Sequence, residues 1–137
     1  MSIRETIFAA IEAALGSAGA AEIERMPSSD PASFPALHIM DDGQGQIEGE
    51  AAATRYSMAL SIEGYVEGTG GSAQHTALNT LHAATVTAII GLIPTISVIE
   101  DIEEGDLRTA VAPLASGRRL AFSQDFTITF ATRRGQP

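Results

Sequence analysis

Apolar side chains recur every third or fourth residue at the start of the chain: Ile3, Ile7, Phe8, Ile11, Ala14 and Leu15. That spacing predicts an amphipathic helix. Ser2, with Glu5 three residues on, makes a capping-box start, and Gly16 is placed to close the helix in a left-handed conformation. The small-residue stretch 17–21 reads as a connection, the alternation over 22–26 as a short strand, and Pro27 to Pro31 as a rigid turn. Over 34–40 the period becomes two, with Leu37 and Ile39 on one face and Ala36, His38 and Met40 on the other. Residues 41–50 hold three glycines, four carboxylates and one large apolar side chain, which predicts a mobile loop.

The alternation returns over 54–66, where Tyr56, Met58, Leu60 and Ile62 oppose Arg55, Ser57, Ala59, Ser61 and Glu63. Residues 64–71 read as a glycine-rich turn into a second helix, N-capped by Ser72, with a buried stripe of Leu78, Leu81, Thr85, Ala88, Ile89 and Leu92. Gly91 and Pro94 end it. Ile96, Val98, Ile99 and Ile102 predict a strand entering an acidic run, 107–112 a local pairing, and 113–117 a loop. The last element carries the clearest alternation: Leu120, Phe122, Phe126, Ile128 and Phe130 on one side, with Gln124 as the polar break. A strand over 120–132 would span ~44 Å, well beyond the usual ~20 Å. Together these elements predict an α+β fold with residues 1–137 as a single domain. Its sheet is mostly antiparallel, with five or six strands and two helices on one face. The opposite face carries Ser, Thr, Ala and charge, open to solvent or to another subunit.

Composition narrows the chemistry. The chain has no cysteine, which excludes disulfides and thiolate zinc sites, and no lysine, which excludes Walker-A and Schiff-base chemistry within it. No stretch approaches the ~20 apolar residues of a membrane span, and the first residues read as a helix start rather than a signal peptide. The net charge of −9 argues against simple nucleic-acid binding. It is also unevenly placed. Residues 1–106 contain three Arg and sixteen Asp or Glu, whereas 107–137 contain five Arg and only Asp125. Such a chain can attract copies of itself head to tail.

No catalytic constellation stands out. Gly68-Thr69-Gly70-Gly71-Ser72-Ala73 matches the G-x-G-x-x-A dinucleotide pattern. However, the strand before it alternates instead of being continuously apolar, and no acidic residue follows ~20 positions on. His75 and His82 lie two turns apart, ~10.5 Å along a helix axis and too far to share a metal, so they read as its polar face. His38 reads as a hydrogen-bonded structural histidine. The acidic runs 41–50 and 100–106 lack an EF-hand register, and no serine sits in a G-x-S-x-G elbow. No enzyme, cofactor or metal is expected.

The order of elements carries more than any motif. It runs from the capped helix through a short strand, a proline turn, a strand, a polar glycine-rich stretch, a long alternating strand and a helix. An acidic strand and a very long final strand ending near Thr132-Arg133-Arg134-Gly135 complete it. This pattern resembles the tail terminator (tail completion, minor tail protein U-like) family of long-tailed phages and gene transfer agents. The resemblance implies a homo-hexameric ring, formed in the host cytoplasm and located at the neck end of the virion tail. Its partners would be the tail tube protein and a head-side neck or connector protein. DNA would pass the bore without sequence-specific binding, and an acidic lining would keep phosphates from sticking.

By position in that pattern, Asp41, Asp42, Gln44, Gln46, Glu48 and Glu50 fall on the family's tube-facing loop. Arg108, Arg118 and Arg119 fall where ring or neck contacts are expected. Two alternatives stay open: a head–tail joining protein, and a small ligand-binding or enzymatic α+β domain using the Gly68–Ala73 turn.

Overall fold

The computed structural model describes residues 1–137. Helix α1 (Ile3–Leu15) begins as its capping residue requires, with the Ser2 hydroxyl accepting from the Glu5 amide at 3.0 Å. It buries Ile7, Phe8, Ile11 and Leu15. Gly16 is not left-handed: its φ is −56°. The amides of Gly16, Ser17 and Ala18 bond three residues back, tightening the last turn so that no left-handed residue is needed there.

Five strands follow: β1 (Glu22–Arg25), β2 (Ala36–Gly49), β3 (Ala53–Gly68), β4 (Ile99–Leu114) and β5 (Gly117–Arg133), with helix α2 (Ser72–Ile90) between β3 and β4. They form one sheet in the order β1-β2-β3-β5-β4. Only β1 and β2 are parallel; every other neighbour is antiparallel. The fold is thus α+β with five strands.

Core-facing side chains of β3 (Met58, Leu60, Ile62, Val66) and β5 (Phe122, Phe126, Ile128, Phe130) meet those of both helices in one cluster of 20 buried residues. Alternation puts the whole row on one face, so burying it against two helices leaves the other face uncovered. Tyr56 is half-buried and tilts over Phe130 at 5.4 Å between ring centres. In the α2 stripe Ala88 is only half-buried, while Gln74 joins the buried set.

Four further expectations need correction. The stretch 41–50 is not a mobile loop: β2 runs on to Gly49, paired with β3 through register shifts at Asp41/Gln44 and Gln46/Glu48. Backbone ladder bonds need no apolar side chain, so a polar segment can remain a strand when its neighbour supplies the partners. Gly43 takes φ +93° at the first shift, and its amide bonds the Asp41 carboxylate at 2.9 Å, holding the bulge.

Second, Gly64 lies inside β3, directly opposite Phe122, and a Cβ there would come within 2.0 Å of the Phe122 ring. The glycine marks a close approach, not a turn. Third, Gly71, not Ser72, caps α2. Gln74 reaches back from the first turn instead, accepting from the Gly70 amide at 2.6 Å. Fourth, Ile96 and Val98 precede β4. That strand absorbs the expected local pairing and most of the expected loop, reaching Leu114, so only residues 115–116 turn into β5. β5 is accordingly 17 residues long.

Candidate assembly surfaces

The sheet exposes two edges at opposite corners. On one side β1 covers only residues 36–39 of β2, so the rest of β2 forms a free edge. We call the β2–β3 extension over 41–53 the arm. On the other side β4 is the outer strand over its full length, and nearly all of it is exposed. The arm's tip lies beside Arg133 at one end of the sheet, while the β4–β5 turn lies beside Gly68 at the other.

Arg4 on α1 fixes the base of the arm. Its guanidinium forks onto the Asp41 carboxylate, with one bond of 2.6 Å, and its Nε donates to Gln44 Oε1 at 2.7 Å. These bonds hold the Asp41 carboxyl below its usual range, against a smaller opposing effect of burial. Further out, Arg55 on β3 joins Glu48 at 2.6 Å and Glu100 of β4 at 2.8 Å across the uncovered face. Asp42, Gln46 and Glu50 are exposed, and neither Asp42 nor Glu50 pairs with a cation. Five of the six expected arm residues therefore share β2, with Glu50 just past its end; Asp41 and Gln44 are bound to Arg4, and Glu48 to Arg55.

The three expected arginines separate. Arg108 forks onto Asp125 at 2.8 and 2.9 Å, which holds the Asp125 carboxyl low. Arg119 binds Glu67 at 2.8 Å and stacks on the Phe34 ring at 5.0 Å. Both are occupied within the chain. Arg118 has no carboxylate partner, and its guanidinium donates to the Gly117 carbonyl at 3.0 Å.

Sequence reasoning missed the apolar part of the β4 edge. Leu107, Val111 and Leu114 are 47%, 63% and 38% exposed. Three large apolar side chains on a 16-residue strand whose outer edge has no partner form a template for pairing unless something covers or blunts it. Pro113 and the acidic first half of β4 blunt it in part. The signal was present in the alternation of Leu107, Thr109 and Val111.

The glycine turn is used structurally. Besides accepting from Gly70, Gln74 donates to Val66 O at 3.2 Å and Arg118 O at 2.9 Å, tying the ends of β3 and β5 to the start of α2. The Gly70 amide, which a phosphate would need, is already bonded. His82 is half-buried and not simply part of a polar helix face: its Nε2 meets Gln124 Oε1 at 2.8 Å. His38 pairs with Glu22 at 2.9 Å, a structural hydrogen bond of the expected kind. No protein-family model matches the chain, and no characterised protein matches it in sequence.

Proposed function

We propose that the chain is a non-enzymatic structural protein, a tail terminator that forms a ring on the head-proximal end of a phage-like tail tube. The ring stops tube polymerisation and offers the joining surface for the neck. The observation that carries this reading is the pair of dissimilar free edges at opposite corners of one sheet. One is a polar, acid-rich arm; the other is a strand with exposed apolar side chains ending beside Arg118. A heterologous cyclic contact needs two different patches that one subunit can engage at the same time. The uncovered sheet face, with its small and polar side chains, leaves a third surface for the tube or the neck.

Charge contributes less than the raw sequence suggests, because Asp41, Glu48, Arg108 and Arg119 are paired within the subunit. The ring contact therefore rests on the β4 edge and the arm's backbone, with Arg118 the arginine of the three free to reach a neighbour. The test is capping in vitro. The tube protein of the parent particle is polymerised, and this chain is added at a few copies per tube end. Tubes that stop lengthening, with a ring at one end, support the reading; tubes that grow unchanged reject it.

A further inference from the structure

Glu22 and Glu24 are two residues apart on β1 and so share a face. The parallel register sets Glu24 opposite His38 of β2. His38 is 3% exposed, its Nε2 is 2.9 Å from Glu22 Oε2, and the Tyr65 ring meets its edge at 5.4 Å between centres. One ligand atom from each of Glu22, Glu24 and His38 lies within 4.8 Å of the other two. No arginine neutralises this group: Arg25 turns to Glu5 and Glu12, and Arg119 to Glu67 and Asp30. Glu24 has neither an ion pair nor a side-chain hydrogen bond, so one carboxylate beside a buried imidazole is uncommitted. The other oxygen of Glu22 accepts from the Ala32 amide at 3.0 Å, which orients that carboxylate from behind.

We infer that Glu22, Glu24 and His38 form a binding site for a divalent transition cation of the zinc class. An imidazole with two carboxylates suits zinc, whereas magnesium and calcium favour all-oxygen shells. Zinc bonds of ~2.0–2.2 Å place tetrahedral ligands ~3.4 Å apart. The Glu22–His38 contact must therefore open by about 0.5 Å, and the exposed Glu24 must swing inward. Nε2 then binds as the neutral imidazole's lone pair, and water completes the shell on the exposed side. The bound ion joins β1, the shortest strand, to β2 and fastens the 27–35 segment through Glu22.

The experiment titrates the untagged full chain with zinc chloride by calorimetry and follows its thermal midpoint. Saturation at one Zn²⁺ per chain with a raised midpoint is expected, since an ion bound only to the folded state stabilises it. Glu24→Gln, an exposed change whose folding circular dichroism verifies, should weaken binding by ~10-fold or more. His75→Gln should leave it unchanged. Absence of saturable binding would overturn the site, as would equal affinity in Glu24→Gln or loss of binding in His75→Gln.

Discussion

Replacing Gly64 by alanine adds one methyl group at the glycine of this chain with the least room for one. An ideal Cβ there lies 2.0, 2.4 and 2.7 Å from three atoms of the Phe122 ring. The ring cannot easily move away, because Phe122 is 2% exposed and packed edge-on against His82 at 5.2 Å, with Gln124 two residues further along β5. Relief requires an off-rotamer Phe122 or a local parting of β3 from β5, and overpacking of this kind costs ~1–3 kcal/mol. The alanine also restricts the unfolded chain, which offsets ~0.4–1 kcal/mol. The net expectation is a loss of ~1–2 kcal/mol, read as a lower urea midpoint with an unchanged slope.

Phe122→Leu removes the ring edge that clashes, so the double variant Gly64→Ala/Phe122→Leu should be more stable than the two single losses predict. A coupling of ~1 kcal/mol or more lies well above the additivity error of ~0.3–0.5 kcal/mol. A Gly64→Ala protein as stable as the parent, or strictly additive losses, would refute the claim that glycine is required there by the Phe122 ring.

Gln124→Leu should destabilise the fold by ~1–2 kcal/mol in urea despite placing an apolar side chain in an apolar row. Its amide bonds Gly105 O at 3.0 Å where β4 slips register, and its carbonyl bonds His82. Burial, followed by the nearby Glu63 carboxylate, pushes the Tyr65 hydroxyl up to about 12. The folded state thus holds that proton more tightly than the unfolded state, whose ordinary value is 10.0. Stability should fall as pH rises from 10 towards 12, and Tyr65→Phe should remove the latest phase of the tyrosinate absorbance titration.

Asp41 and Asp125 lie below their usual 3.8 through Arg4 and Arg108, so both favour folding above that value. Acid should erode stability as pH falls through their lowered range, and Arg4→Ala should flatten the dependence. Arg118→Glu should weaken self-association measured by sedimentation. Arg119→Glu should instead lower the urea midpoint, because it breaks the Glu67 and Phe34 contacts; equal effects of the two changes on association would contradict their separate roles.

The legible parts of the fold are those in which one residue in two, or one in three to four, carries a large apolar group. β5 is readable from Leu120 to Phe130, and α1 from Ile3 to Leu15. The arm lacks any such row: with Gly43, Gly45 and Gly49 among acids and glutamines, its strand character comes from ladder bonds to β3, which composition does not report. β4 was broken into pieces for a different reason. The slip between Glu104 and Leu107 changes which residues face the core, so a single period of two does not run through it. Ser72 looked like a helix cap because local chemistry favours serine there, yet Gln74 supplies the acceptor from inside the helix. Glu22 and Glu24 could be placed on one face of a strand, but their approach to His38 depends on a parallel register between segments more than ten residues apart. Likewise, the pairing of Arg108 and Arg119 within the subunit follows from which strands become neighbours, a tertiary fact.

Deleting the gene from its parent particle and imaging the products by electron microscopy tests the terminator reading most directly. Overlong tails without heads are predicted, because a tube with no terminating ring continues to grow. Tails of normal length that fail to join heads, or fully normal particles, would contradict it.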